Sequence, residues 1–367
     1  MKKINISIFT GGSGNIELAR NLCELNSRTK NISINFLING YDDGKSTGFL
    51  RQLVPGMLGP SDFRKNCSNL ILSKNQNEET LKKILDYRIK DFATYNRLLL
   101  KIKKQDRTSF QFIDYLPWNK YFEFIEYIKT FDQHLKTCQF QKKNFKDISL
   151  GNILFTSFYL SNNKKFNHTI KKFSDFFEIE HNVLNITNGE NFFLSGLAES
   201  GNFLKDEVSI IENKNKEKIS DIFLLKKKLN HRSIKHLESL KDSSKKKKFL
   251  NNLNFTPKLN PELNKIIKKS DIIIYGPGTQ NSSLYPSYLT KNIKNILMKS
   301  KAKKIFISNI FKDKDIVNET TNSIIEKFFY YMNNKKNKKL IKEKLIDYYF
   351  VHKTDKSDIN NIRKSFY

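Results

Sequence analysis

Ile4-Asn5-Ile6-Ser7-Ile8-Phe9 runs straight into Thr10-Gly11-Gly12-Ser13-Gly14-Asn15, and a helical pattern then continues to about Leu25. An apolar strand, a glycine turn and a helix start make an anion cradle, because backbone without side chains lets a phosphate approach unpaired N–H groups and the positive helix end. A second apolar run, Ile32 to Asn39, completes a β-α-β unit whose crossover implies a parallel sheet. The polar loop that follows, Gly40-Tyr41-Asp42-Asp43-Gly44-Lys45-Ser46-Thr47-Gly48, lies at the carboxyl end of that strand, where open α/β sheets bind ligands. A loop of the first kind returns late in the chain. There Asp271-Ile272-Ile273-Ile274-Tyr275 leads into Gly276-Pro277-Gly278-Thr279-Gln280-Asn281-Ser282-Ser283. The two glycine turns are expected to converge on one pyrophosphate-type ligand, or to bring two phosphorylated substrates together.

Pro55, Gly56, Gly59 and Pro60 break the chain ahead of Ser61 and Asp62, either of which suits the cap of a helix starting near Phe63. Residues 76–146 read as a helical insertion rich in Phe, Tyr and Lys. A helix is expected from Ser149-Leu150-Gly151-Asn152 to about Leu160, and another to about Phe177. Short strands are expected near His181–Thr187, Phe192–Leu197, Val208–Ile211 and Ile219–Leu225, close enough together to form a small β-rich subdomain. Lys226–Thr256, with Lys245-Lys246-Lys247-Lys248, reads as a mobile connection, or more simply as a solvated charge run. A strand at Lys304–Ser308 and helices at Thr320–Met332 and Leu340–Phe350 close the chain. The resulting expectation is an α/β protein with a Rossmann-like, mostly parallel sheet and helices on both faces. Its nucleotide-binding domain spans 1–75 and 147–335, the insertion 76–146, and a C-terminal helical tail 336–367.

The chain has 367 residues, 38% hydrophobic and 13% aromatic, enough for one large core and a smaller subdomain. Its formal charge of +29 comes almost wholly from Lys, which travels with abundant Asn, Ile and Phe as coding bias produces. Arg, whose fork geometry suits base and phosphate readout, is scarce, so specific nucleic-acid binding is not expected. Cys23, Cys67 and Cys138 are widely spaced with no C-x-x-C pair, which points away from disulfides and thiolate metal sites and fits a reducing cytoplasm. No apolar run approaches the roughly 20 residues of a membrane span.

Gly12-Ser13-Gly14 supplies half of the dinucleotide fingerprint G-x-G-x-x-G, but Glu17 occupies its last position, which disfavours a standard NAD site. Gly44-Lys45-Ser46-Thr47 lacks the earlier Gly of a Walker loop, because Asn39 stands there. Asp42 and Asp43 share their loop with Ser46 and Thr47, so carboxylates and hydroxyls gather where a hard cation such as Mg2+ could join substrate phosphates. The same Asp residues also suit a helix cap or an Asx turn. Asp62 with Arg64 reads locally as a cap and ion pair, and Asn152 as a plain cap. The six His show no zinc spacing, and there is no G-x-S-x-G elbow.

In order along the chain stand Gly11-Gly12-Ser13-Gly14, Asp42-Asp43-Gly44-Lys45-Ser46-Thr47-Gly48-Phe49-Leu50-Arg51, Pro60-Ser61-Asp62-Phe63-Arg64, Leu150-Gly151-Asn152 and Tyr275-Gly276-Pro277-Gly278-Thr279. This series resembles the 2-phospho-L-lactate transferase and gluconeogenesis-factor family (CofD/YvcK), with its G-G-T-G, D-D-G-G-S-S/T-G-x-L-R, G-D-x-R, S-x-G-N and G-P-G-S motifs. The sequence departs from the pattern at Lys45, at Ser61 and at Asp147-Ile148. In the transferase branch, the resemblance implies that a deazaflavin hydroxyl attacks a lactyl-phospho-guanosine donor with Mg2+ as cofactor, and a nucleoside monophosphate leaves. In the regulatory branch, it implies binding of a UDP-sugar. Carried onto this chain, Gly11, Gly12, Ser13 and Gly14 would cradle donor phosphate, and Asp43 would hold Mg2+ or orient the acceptor hydroxyl. Asp62 would shape that pocket. Asn152, Gly276, Gly278 and Thr279 would contact the nucleotide, with Ser46 and Thr47 as further hydroxyl donors. The expected partner is a GDP- or UDP-type small-molecule donor, and the chain is compatible with a homodimer.

Overall fold

Ile6, Ile8 and Phe9 are buried in the first strand, and Ile34, Phe36, Leu37 and Ile38 in the second, so both read as the near-continuous apolar runs that a parallel sheet covered on two faces requires. The computed structural model describes residues 3–104, 113–309, 314–316, 318–336 and 345–352. Its strands are β1 (Ile4–Phe9), β2 (Ile32–Ile38), β3 (Arg88–Ile89), β4 (Ile148–Ser149), β5 (Asn182–Asn185), β6 (Phe193–Ala198), β7 (Phe203–Leu204), β8 (Ile219–Leu225), β9 (Ile272–Tyr275), β10 (Lys303–Ile307) and β11 (Tyr348–Phe350). The chain divides into two compact units. One comprises Met1–Asn15, Asn31–Asp42 and Asn185–Tyr367, the other Ile16–Lys30 and Asp43–Leu184.

The central sheet has the order β11-β10-β9-β1-β2-β5, and the first unit carries all of it but Asn182–Leu184 of β5. Parallel pairing sets Ile8 beside Phe36 on one side and Ile274 on the other, then Ile274 beside Ile305 and Ile305 beside Tyr348. From β1 the chain steps to β2 in one direction, whereas from β9 it steps to β10 and β11 in the other. The direction of winding therefore reverses between β1 and β9. Polar residues inside the strands are paired internally, as Ser7 Oγ with Ser270 Oγ at 2.7 Å and Asn35 Nδ2 with the Ile6 carbonyl at 3.3 Å. An antiparallel sheet, order β7-β6-β8, buries Leu197, Phe223 and Leu225 with Leu237 and Leu250 of the helices His231–Ser239 and Ser243–Leu253.

Among the described residues, the regular structure of the second unit is helical apart from the short antiparallel pair β3–β4 and Asn182–Leu184 of β5. Its centre is the helix Leu150–Ser161, in which every residue from Leu150 to Tyr159 is buried. It is buried on every side because helices surround it, and its Thr156 and Ser157 hydroxyls donate back to the Asn152 and Ile153 carbonyls at 2.8 and 3.0 Å. Phe155 packs against Phe166 and Phe173 with ring centroids 5.4 and 5.0 Å apart. The helices Gln76–Asp86, Phe92–Lys103 and Trp118–Thr137 lie in the stretch expected to be a helical insertion.

Three local expectations are corrected. Val208–Ile211 is not a strand but part of the helix Glu207–Glu212, because Asp206 and Ser209 form a reciprocal capping box. Lys226–Thr256 is not an irregular connection: Lys245–Lys248 lie on a helix, with Lys246 Nζ donating to the Gly201 carbonyl at 2.9 Å. Tyr348–Phe350, expected to be helical, is instead a strand pairing with β10, and residues 340–344 of that expected helix lie outside the described residues. Among the described residues, no helix is long and apolar enough to cross a membrane.

Candidate functional site

Because Phe9 and Tyr275 are register partners in neighbouring parallel strands, the loops that follow them leave the sheet side by side at its carboxyl edge. This is where the winding reverses, and such a point opens a crevice in α/β sheets. Gly276 N donates to the Phe9 carbonyl at 3.1 Å, so the second loop starts bonded to the end of β1. The loops then touch: a Cβ on Gly14 would stand 2.5 Å from Gly278 Cα and from the Pro277 carbonyl oxygen. Gly278 has φ +150°, a backbone conformation that side chains oppose.

The second loop is held from two sides. Asn309, just beyond β10, accepts from Gly278 N and donates to the Gly278 carbonyl, both at 3.0 Å. Thr279 Oγ1 pairs with Ser283 Oγ at 2.8 Å, and Asn281 donates twice to Asp315 at 2.9 Å, from its backbone N to Oδ2 and from its Nδ2 to the carbonyl. The segment Gln280–Leu284 is one π-helical turn, a form that recurs at functional sites. Asn39, at the end of β2, donates to Ser287 Oγ at 3.2 Å and to the Ser283 carbonyl. Asn15, Asn39 and Asn309 were not singled out as site residues by sequence reasoning. Asn reads locally as a turn residue, and only strand order reveals that these three sit around one glycine crevice.

The remaining candidates gather in the second unit. Asp43 and Arg51 form a buried ion pair, Nη1 to Oδ1 3.6 Å, with side chains 3% and 1% exposed. A Cβ on Gly48 would fall 2.7 Å from the Asp43 carbonyl oxygen, so the helix Lys45–Leu53 folds tightly back on Asp43. Thr47 and Ser61 share a short hydroxyl–hydroxyl hydrogen bond, and Asn152 Nδ2 donates to Ser61 Oγ at 3.0 Å. Thr47, Ser61 and Asn152 thus form one buried chain. Lys45 is exposed and Ser46 half-buried. Asp62 does not cap the helix Ser61–Leu70: Pro60 holds the cap position without a side-chain bond, and Asp62 instead pairs with Lys65 at 3.6 Å. Arg64 reaches Asp86 at 2.6 Å, and burial pulls its guanidinium below the ordinary range while Asp86 opposes that shift. Burial pushes the thiols of Cys23 and Cys67 up to about 12, so neither is a poised nucleophile. Among the described residues, no group of three or more His, Cys, Asp or Glu is placed to hold a metal ion.

A parallel sheet with glycine loops meeting at its switch point defines a Rossmann-like α/β protein. Residues 6–365 match the family described as 2-phospho-L-lactate transferase CofD, and the chain belongs to that family. Similar curated proteins carry the name "Putative gluconeogenesis factor". The one from Aquifex aeolicus is 23% identical over 84% of this chain and 68% of its own length, and the one from Thermotoga maritima 42% identical over 14% and 16%. The match to the Clostridium acetobutylicum protein, 33% identical, spans 26% of this chain and 24% of the relative. Matches to the last two therefore span less than a quarter of those relatives' lengths. Among solved structures, a UPF0052-family protein of Bacillus halodurans has the same fold, with a TM-score of 0.61 at 20% identity over 99% of this chain and 86% of the other.

Proposed function

We propose that the chain binds a nucleoside-diphosphate-linked donor through its two glycine loops and transfers a phosphorus-containing group from it to an acceptor hydroxyl. The single observation behind this reading is the contact of Gly14 with Gly278 at the β1/β9 switch point. Phosphoryl transfer needs chiefly positioning and charge neutralisation, which backbone N–H groups, a hard cation and a few carboxylates provide. In this reading Gly11, Gly12, Ser13, Gly14, Gly276, Gly278 and Thr279 hold the donor. Asp43 is the Mg2+ ligand, Asp62 shapes its surroundings, and Ser46, Thr47 and Asn152 supply polar contacts. The acceptor oxygen bonds to the donor's phosphorus, the phosphorus–oxygen bond to the nucleoside monophosphate breaks, and the hydroxyl proton passes to solvent.

Asp43 fits Mg2+ only in the sparse manner usual for that ion, one or two carboxylates completed by water and substrate phosphate. Bound there, the ion would neutralise phosphate charge. Incubating the protein with Mg2+ and GDP- or UDP-linked donors plus candidate acceptors is expected to release nucleoside monophosphate, and Asp43→Asn to cut that release by about 100-fold or more. Absence of release with every donor and acceptor would remove the transferase.

A second reading, a non-catalytic UDP-sugar-binding regulator, is favoured by the names of the relatives and by Arg51, which already neutralises Asp43. It expects Asp43→Asn to bind UDP-sugar as the unaltered protein does, with no turnover in either. Calorimetry beside the release assay separates the two.

A further inference from the structure

Asn15 ends the first glycine loop, is only 3% exposed, and neither its Nδ2 nor its Oδ1 has a hydrogen-bond partner among the described residues. Its carboxamide lies against the second loop: a Cβ on Gly276 would meet Asn15 Nδ2 at 2.3 Å and Oδ1 at 2.6 Å. Among the described residues, Gln280 Oε1 and Asn281 Oδ1 are also buried without a partner, but each of those side chains is anchored through its nitrogen, whereas Asn15 is bonded at neither end. Thr279 is paired with Ser283, Asn309 clamps Gly278, Gln280 Nε2 donates to the Gly278 carbonyl at 3.3 Å, and Asn281 is tied to Asp315. Those bonds build the loop. Asn15 builds nothing, yet a buried amide with both donor and acceptor unmet is costly, and such groups mark places where something else completes the bonding.

An amide offers N–H donors on one side and a carbonyl acceptor on the other, whichever way it is flipped. Ionised phosphate oxygens only accept, so a phosphate can meet the Nδ2 side and never the Oδ1 side. The Oδ1 side needs a hydroxyl or N–H on the ligand close to its phosphate. We propose that Asn15 is the specificity residue of the crevice and selects a phosphorylated sugar, the ribose or hexose part of a nucleotide-linked compound, over inorganic pyrophosphate. This deepens the nucleotide-binding reading above and rests on it.

The test is calorimetric titration of the full chain with UDP-glucose, GDP and inorganic pyrophosphate, in the unaltered protein, Asn15→Leu and Asn15→Asp. The unaltered protein is expected to bind at least one of the two nucleotides about 10-fold or more tighter than pyrophosphate. Asn15→Leu is expected to weaken the nucleotide about 10- to 100-fold, to weaken pyrophosphate far less, and to leave ligand-free thermal stability equal or higher, because a buried unpaired amide has gone. Asn15→Asp, nearly isosteric, keeps the acceptor and adds a charge facing the phosphate, so it should weaken all three ligands and covers the case in which the Leu variant fails to fold. Unchanged nucleotide binding in both variants means that ordered water satisfies the amide, and overturns the proposal while leaving the nucleotide reading intact. Equal binding of pyrophosphate and nucleotide by the unaltered protein overturns it as well. Binding of none of the three removes both readings.

Discussion

Gly14→Ala is expected to abolish nucleotide binding and to lower stability by about 3 kcal/mol, at the upper end of the cost of overpacking. The added methyl would fall 2.5 Å from Gly278 Cα and from the Pro277 carbonyl oxygen, and 2.9 Å from Gly278 N. All three are backbone atoms, so no rotamer change relieves the clash. Nor can the second loop retreat freely, since Asn309 holds Gly278 through two bonds and Gly276 is bonded to the end of β1. Relief requires prising apart the carboxyl ends of β1 and β9, and the crevice loses its shape. Urea denaturation with nucleotide titration checks this, with Ser13→Ala, at an exposed position of the same loop, as the neutral control for stability. A Gly14→Ala protein that melts and binds like the unaltered one would show that the loops do not need their close approach.

Asp221→Ala is expected to cost about 3–5 kcal/mol, the usual result of removing one partner from a buried charge cluster. Asp221 is fully buried and receives Lys247 Nζ and Lys335 Nζ, each at 3.1 Å, together with Tyr330 Oη at 3.0 Å and Tyr331 Oη at 3.3 Å. Lys247 is 37% exposed and can turn to water, whereas Lys335 is 9% exposed and cannot. Burial already pulls the Lys335 ammonium below the ordinary lysine value of 10.5, and Asp221 is the main opposing influence. Without Asp221 the shift deepens. A depressed lysine penalises folding in full at pH below its folded value, and the penalty fades as pH rises through that value towards 10.5, because the native state sheds its proton first. The gap between Asp221→Ala and the unaltered protein should therefore narrow as denaturation is moved from neutral to alkaline pH. A constant gap would exclude Lys335 as the uncompensated charge.

The frame around the crevice is legible in the sequence because it rests on local signals. Ile4–Phe9 and Asp271–Tyr275 are apolar runs, and each is followed by glycines that only a close backbone approach requires. What the sequence hides depends on partners far along the chain. Val208-Ser209-Ile210-Ile211 resembles a strand by composition, and the box between Asp206 and Ser209 decides for a helix. Tyr348–Phe350 has the aromatics of either element, and pairing with β10 makes it a strand. Ser61 and Asp62 both look like caps, yet Ser61 is consumed by Thr47 and Asn152, which lie 14 and 91 residues away. Arg51, quoted only as part of a motif, turns out to neutralise Asp43. Charge compensation of this kind follows from burial, which periodicity alone does not report.

The order of the central sheet has a consequence for biosynthesis. β1 emerges first from the ribosome, but the strand on its inner side arrives so late that Asn5 and its hydrogen-bond partner Asp271 are 266 residues apart. At about 5–20 residues per second, β1 waits roughly 13–50 s for β9. The helical stretch Asp43–Leu184 is translated entirely within that interval and has time to condense by itself. The ligand crevice is thus assembled last, and a nascent chain cut short before Asn309 would carry the first glycine turn without the clasp that completes it.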